Sequence, residues 1–132
     1  MRSLLKALDR QLRDEAGMAH DDYEILSRLY REQDNALRMS DLARDVGFSP
    51  SRLSHAMTRM EDSGWVIRQA SCTDRRSTEA TLTELGGTVV EEASIEHLAL
   101  VRKLIFDTLG SDRVRELSDA LDEIGRAARQ RG

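Results

Sequence analysis

Apolar residues recur at three- and four-residue spacing along most of this chain, and the rhythm breaks once, between Gly64 and Thr83. Leu4, Leu5, Leu8 and Leu12 form one stripe near the start, which predicts a first helix. Asp21 or Asp22 is placed to cap a second helix, with Tyr23, Leu26, Leu29 and Tyr30 facing a core. Ser40 stands just ahead of Leu42 and Val46, so it is expected to cap a short third helix. Gly47 then sits where a helix ends in the left-handed conformation. Ser49 caps a fourth helix whose first position is Pro50, where the missing N–H would be unpaired anyway. This helix runs to about Ser63, stops at Gly64, and turns Leu53, Ala56, Met57 and Met60 inward.

Where the rhythm breaks, Trp65 to Gln69 is a β-branched and aromatic run, and Ser77 to Leu82 alternates in character. The two runs predict a β-hairpin with Thr73, Asp74, Arg75 and Arg76 in its loop. After Thr83 a long helix is expected to about Leu109, roughly 35–40 Å at 1.5 Å per residue. Gly110 ends it, Ser111 caps a last helix, and Val114, Leu117, Leu121 and Ile124 follow at coiled-coil-like spacing. The expected fold is therefore mostly α with a small β-hairpin (α+β), as one domain over residues 1–132. A winged helix-turn-helix lobe occupies 21–83, and helical dimerisation regions occupy 1–20 and 84–132.

So small a domain has little core to cover two long helices. A second copy of the chain is the natural cover, through Leu4, Leu8, Leu12, Val114, Leu117, Leu121 and Ile124. The alternative is that these helices pack on one another within the chain.

The polar side of the fourth helix supplies candidate chemistry. Arg52, His55 and Arg59 recur at i, i+3 and i+7 opposite the apolar stripe, with Ser51, Ser54 and Thr58 beside them. Short hydroxyls and arginines are the groups that reach base edges and phosphates in a major groove. An ordinary surface helix can show the same pattern, so the hairpin carries more weight. Arg75 or Arg76 on such a loop can enter a minor groove, where negative potential is concentrated. Asp74 is expected to aim a guanidinium by a bidentate pair. Arg38 and Ser40 are candidates for phosphate contact at the start of the third helix. A symmetric dimer would set two such helices about 34 Å apart, one turn of DNA.

Charge argues partly against this reading. The chain carries a net charge of −4, whereas nucleic-acid binders are often basic. Yet residues 38–76 hold seven arginines against five acidic residues, while both flanking regions are net acidic. The positive charge is a modest patch on an acidic body. The competing expectation is a winged-helix interaction module without DNA binding, and another winged-helix regulator family is a nearer rival.

Other functions find little support. A single cysteine excludes an intrachain disulfide framework, and no apolar run reaches the ~18–20 residues needed to span a bilayer. With no signal-peptide pattern, a cytoplasmic location and no membrane partner are expected. His20, His55 and His97 lack metal-site spacing, and there is no partnered nucleophile or glycine-rich phosphate loop, so neither cofactor, metal nor enzymatic activity is expected. Cys72 lies near Arg75 and Arg76, but no second cysteine exists to resolve an oxidised thiol, and it reads as incidental. The five aromatic residues include Tyr23, Tyr30, Phe48 and Trp65 at core-like positions, which disfavours single-strand binding by base stacking.

Asp74-Arg75-Arg76-Ser77, followed by Leu82-Thr83-Glu84-Leu85-Gly86, resembles the wing signature of the MarR family of bacterial transcription regulators. The stretches Ser49 to His55 and Arg59 to Val66 are similar to that family's recognition helix and its exit. The resemblance runs from about Tyr23 through the last helix. It implies a homodimer on a pseudo-palindromic operator, usually a repressor, relieved by small phenolic or lipophilic effectors or by oxidants. Two departures stand out. Trp65 replaces a more usual leucine, and fewer than two dozen residues precede Tyr23, which implies a smaller dimer interface or a start further upstream.

Overall fold

A computed structural model describes residues 1–131; Gly132, the last residue of the predicted 84–132 region, lies outside the described residues. The order of elements is α1 (Arg2–Ala16), α2 (His20–Tyr30), β1 (Ala36–Arg38), α3 (Met39–Val46), α4 (Pro50–Asp62), β2 (Val66–Ala70), β3 (Thr78–Leu82), α5 (Glu84–Val101), a π-helical stretch (Arg102–Phe106), α6 (Asp107–Leu109) and α7 (Ser111–Arg131). The chain divides into two compact units, one from Met1 to Ile95 and one from Glu96 onward.

In the first unit, α1 to α4 and the sheet close around one apolar cluster. Leu12, Ile25, Leu26, Leu29, Leu42, Leu53, Met57, Met60 and Val66 are almost wholly buried in it. Each such side chain contributes about 1.5–3 kcal/mol by leaving water. Leu12 and Leu8, expected at a dimer contact, are buried within the protomer, with Leu12 part of this cluster. Their stripe is used up by the lobe itself. Tyr30, expected in the core, is instead 46% exposed, and its hydroxyl donates to Glu91 at 3.2 Å. Ile25 takes the inward place.

Two helix starts differ from expectation. Helix α2 begins at His20, so Asp22 sits one turn inside and accepts from the Ala19 N–H at 3.3 Å. Helix α3 begins at Met39 with Arg38 as its cap, which leaves Ser40 inside the first turn with no capping role. Ser49 and Pro50 open α4 as predicted, the Ser49 hydroxyl accepting from the Arg52 N–H at 3.2 Å. Gly47 and Gly64 both take positive φ where α3 and α4 end.

The hairpin gains a third strand. β3 lies between β1 and β2, antiparallel to both, with Arg38 opposite Glu79 and Val66 opposite Leu82. Three residues are too few to show alternation, so β1 exists only because β3 offers it an edge. The long helix predicted to reach Leu109 is interrupted at Arg102, because a five-residue π-helical stretch leaves no distinct mark in apolar spacing.

The wing is clamped to α4 and α5 at one point. The Thr83 hydroxyl donates to the Gly64 carbonyl at 2.6 Å and accepts from the Gly86 N–H at 3.0 Å, capping α5. The Thr83 N–H donates to the Trp65 carbonyl at 3.0 Å. Gly86 approaches so closely that a Cβ would lie 2.1 Å from the Trp65 carbonyl oxygen, whereas a Cβ on Gly87 would meet only Leu82 at 3.8 Å. Gly86→Ala is therefore expected to destabilise the protein by at least about 2 kcal/mol, through backbone that cannot give way. Gly87→Ala should be neutral, or stabilising by up to about 1 kcal/mol through helix propensity. Urea unfolding of the two variants checks the contrast.

Candidate nucleic-acid interface

Helix α4 and the wing loop supply the candidate surface. The apolar stripe of α4 is buried, and its two flanks are tied down by different neighbours. On one flank Arg52 forms a bidentate pair with Asp21, Nε to Oδ2 at 2.9 Å and Nη2 to Oδ1 at 2.6 Å. The same guanidinium lies 3.8 Å from the centroid of the Phe48 ring. Arg59, two turns further, donates through Nη2 to the buried Asp22 at 2.9 Å. Both carboxylates come from the first turn of α2, where the helix dipole also favours negative charge.

The other flank is held by Arg68 from β2. Its Nε donates to Glu61 at 2.7 Å, its Nη1 to the Ser54 hydroxyl at 3.1 Å, and its Nη2 to the Thr58 hydroxyl at 3.1 Å. Arg52, His55 and Arg59, expected as one outward set, are thus divided. His55 and Ser51 are exposed between the flanks, while the two arginines are engaged by α2.

Spacing misses this division because Arg52 and Arg59 lie close enough to the stripe to reach carboxylates beside it. Arg68 is absent from the residues expected at the site, yet it shares strand parity with the buried Val66, which puts it on the side facing α4.

The wing loop is a braced turn. Ser71 and Ser77 close it, the Ser71 N–H donating to the Ser77 carbonyl at 2.9 Å. Asp74 accepts the Arg76 N–H at 3.0 Å on Oδ1 and the Ser77 hydroxyl at 3.0 Å on Oδ2. The expectation that Asp74 forks a guanidinium is therefore corrected: both its oxygens hold the turn. Arg75 and Arg76 are exposed at the tip, and neither has an ion-pair partner among the described residues. Arg38 reaches the loop from the start of α3, its Nη2 donating to the Thr73 hydroxyl at 3.3 Å. Ser40 is exposed nearby in sequence, and Cys72 is an exposed free thiol.

The contacts at Asp74 hold its carboxyl below the ordinary value of 3.8, first through the Arg76 N–H, then the Ser77 hydroxyl, with Arg38 adding positive charge. Because the folded value is depressed, this stabilisation is fully present above the unfolded value and is lost as pH falls through the folded one. A carbon-13 NMR titration should place the Asp74 midpoint below 3.8, and Ser77→Ala should move it back up. An unshifted midpoint would contradict the braced turn.

Two cavities adjoin the bracketed arginines. One of about 370 Å³ is lined by Arg13, Met18, Asp22, Arg59 and Trp65, among others. The second, of about 470 Å³, includes Lys6, His20, Asp21, Phe48 and Arg52. Asp9 forms part of its wall, its carboxyl held low by Arg13 and by the His20 N–H. Trp65 lines the first of these cavities, whereas Tyr23, Leu26 and Met57 line neither. Among the described residues no group of three His, Cys, Asp or Glu side chains is placed to hold a metal ion, and no helix is long and apolar enough to cross a membrane.

Comparison with known proteins agrees with this architecture. The model of the MarR family matches residues 20–78, from the start of α2 into β3. The structure of AbsC, a MarR family transcriptional regulator from Streptomyces coelicolor, superposes with a TM-score of 0.91 at 38% identity, over 98% of this chain and 86% of that one. Sco3205, a MarR family regulator from the same organism solved in complex with DNA, gives 0.92 at 35% identity, over 96% and 79%. The HTH-type transcriptional repressor Rv2887 of Mycobacterium tuberculosis is 30% identical over 96 residues, 70% of this chain and 66% of that one. The chain belongs to the MarR family of transcriptional regulators. Its members are not enzymes, and neither is this chain.

Proposed function

We propose that this chain is a sequence-specific duplex-DNA-binding regulator, acting as a homodimeric repressor on a pseudo-palindromic operator. The observation that carries this reading is the pair Arg75 and Arg76, exposed and without counter-ions among the described residues, at the tip of a loop that Asp74 braces from within. A cationic tip held rigid beside an exposed helix face loses little freedom when it meets a phosphate or a minor groove. The DNA complex of the relative Sco3205 and the name of the repressor Rv2887 support the assignment.

On this reading Ser51, Ser54 and His55 serve the major groove, Arg75 and Arg76 the minor groove or its phosphates, and Arg38 and Ser40 a neighbouring phosphate. Arg52 and Arg59 serve DNA by exchanging a carboxylate for a phosphate. Exposed ion pairs are worth only about 0–1 kcal/mol, so the exchange costs little at Arg52, whereas at Arg59 it leaves the buried Asp22 without its partner and costs more. A small aromatic or lipophilic effector in the cavity at Arg59 and Trp65 would act on the recognition helix through the same arginine.

The dimer reading rests on α7, where Leu117, Leu121 and Ile124 are 45%, 55% and 64% exposed along one seam, with Val114 half-buried. Leu4 is half-buried on α1 and remains a candidate contact. Leu121→Glu should convert the dimer to monomer in sedimentation and weaken operator binding in parallel; an unchanged mass would remove α7 from the interface.

Fluorescence anisotropy with a duplex from the chain's own promoter, beside scrambled DNA, tests the function. Arg76→Ala should lower promoter affinity by about tenfold, or about 1.4 kcal/mol, with the melting temperature and dimer unchanged. If Arg76 contacts a phosphate, the variant should also show a log–log salt slope shallower by about one. Equal, weak binding of both duplexes would favour an interaction module instead, a reading to which the internally bound Arg52 and Arg59 lend support.

A further inference from the structure

Arg68 does more than join a strand to a helix. Its guanidinium spans three side chains on one flank of α4, at Ser54, Thr58 and Glu61, and its side chain is 27% exposed. Glu61 supplies the counter-charge, accepting from Nε on the oxygen that also forms the ion-pair contact with Nη2. The two hydroxyls are then left in different states. Thr58 donates its only proton to the Ser54 carbonyl at 3.0 Å and accepts from Arg68, so its hydroxyl is committed on both sides. Ser54 accepts from Arg68 and keeps its proton unassigned.

We propose that Arg68 is a positioning residue that sets the hydrogen-bond polarity of the DNA-facing helix. It turns Ser54 into an outward donor and withdraws the Thr58 hydroxyl from readout. A hydroxyl whose oxygen already receives a guanidinium N–H is a poor acceptor for a second donor and a better donor itself. In a major groove, Ser54 then selects an acceptor edge, namely purine N7, guanine O6 or thymine O4. It disfavours the amino groups of adenine and cytosine. Thr58 presents its methyl group, which suits the thymine methyl. The inference rests on the DNA-binding reading, and it assigns to a wing strand a part of the specificity that the recognition helix displays.

The test is selection from randomised duplexes by the intact protein and its variants, with melting temperatures measured alongside. The wild type should enrich a two-half-site sequence with an acceptor-presenting base at one position per half-site. Ser54→Ala should relax that position alone, without a change in melting temperature. Arg68→Met should relax the same position and lower affinity for the selected site by about tenfold, the size of one lost base contact. Arg68→Lys, which keeps the charge but not the planar fork, should recover melting temperature without recovering the base preference. A purely structural arginine would lower affinity evenly and leave the selected sequence intact in Arg68→Met, and that result would overturn the proposal. So would an unchanged profile in Ser54→Ala. If the wild type enriches no sequence at all, the DNA-binding reading falls first and this inference falls with it.

Discussion

The Thr83 hydroxyl and the bare backbone of Gly86 form the junction on which the rest of the lobe depends. Three elements meet there: the end of α4 at Gly64, the start of β2 at Trp65, and the first turn of α5. The Trp65 carbonyl lies where a side chain on Gly86 would be, so α5 packs directly onto the chain leaving α4. No side chain stands between them to absorb a movement. Helix α5 and the end of α4 are thus held in direct backbone contact.

Around that junction, electrostatics sorts the arginines into two groups. Arg52, Arg59 and Arg68 are bound by carboxylates of the protein itself and fix the pose of α4 from both flanks. Arg75 and Arg76 are left open on a turn whose own carboxylate is occupied with backbone and hydroxyl donors. Of the 24 acidic residues, Asp21, Asp22 and Glu61 hold Arg52, Arg59 and Arg68, and among the described residues none pairs with Arg75 or Arg76. Because α2 supplies the carboxylates that hold Arg52 and Arg59, the start of α2 and helix α4 share one ionic network.

Much of this was legible from residue pattern because it depends on local rules. The Ser49-Pro50 start of α4, the left-handed Gly47 and Gly64, the inward face of α4 and the hairpin all follow from caps, φ preferences and periodicity within a few residues. The family resemblance rests on the same local features of the wing. What the pattern could not supply were the partners of polar groups. Asp22, one of two residues placed by sequence as a cap, accepts from the Ala19 N–H and is also the buried anchor of Arg59, and Asp74, placed as an anchor of arginine, is the brace of its own turn.

Sequence alone determined the main helices, the hairpin, their order, the apolar face of α4 and the basic loop, since these are set by the conformational preferences of neighbouring residues. Tertiary structure alone decided which polar side chains remain free. Pairs such as Arg52–Asp21 and Arg68–Ser54 join residues 31 and 14 positions apart, across elements whose approach no spacing rule encodes. It also decided that Leu12 belongs to the core, that three residues before α3 become a strand, and that residue 86 must be glycine. Each of these depends on what another element brings within a few ångströms, and that distance is a property of the packed fold rather than of the local chain.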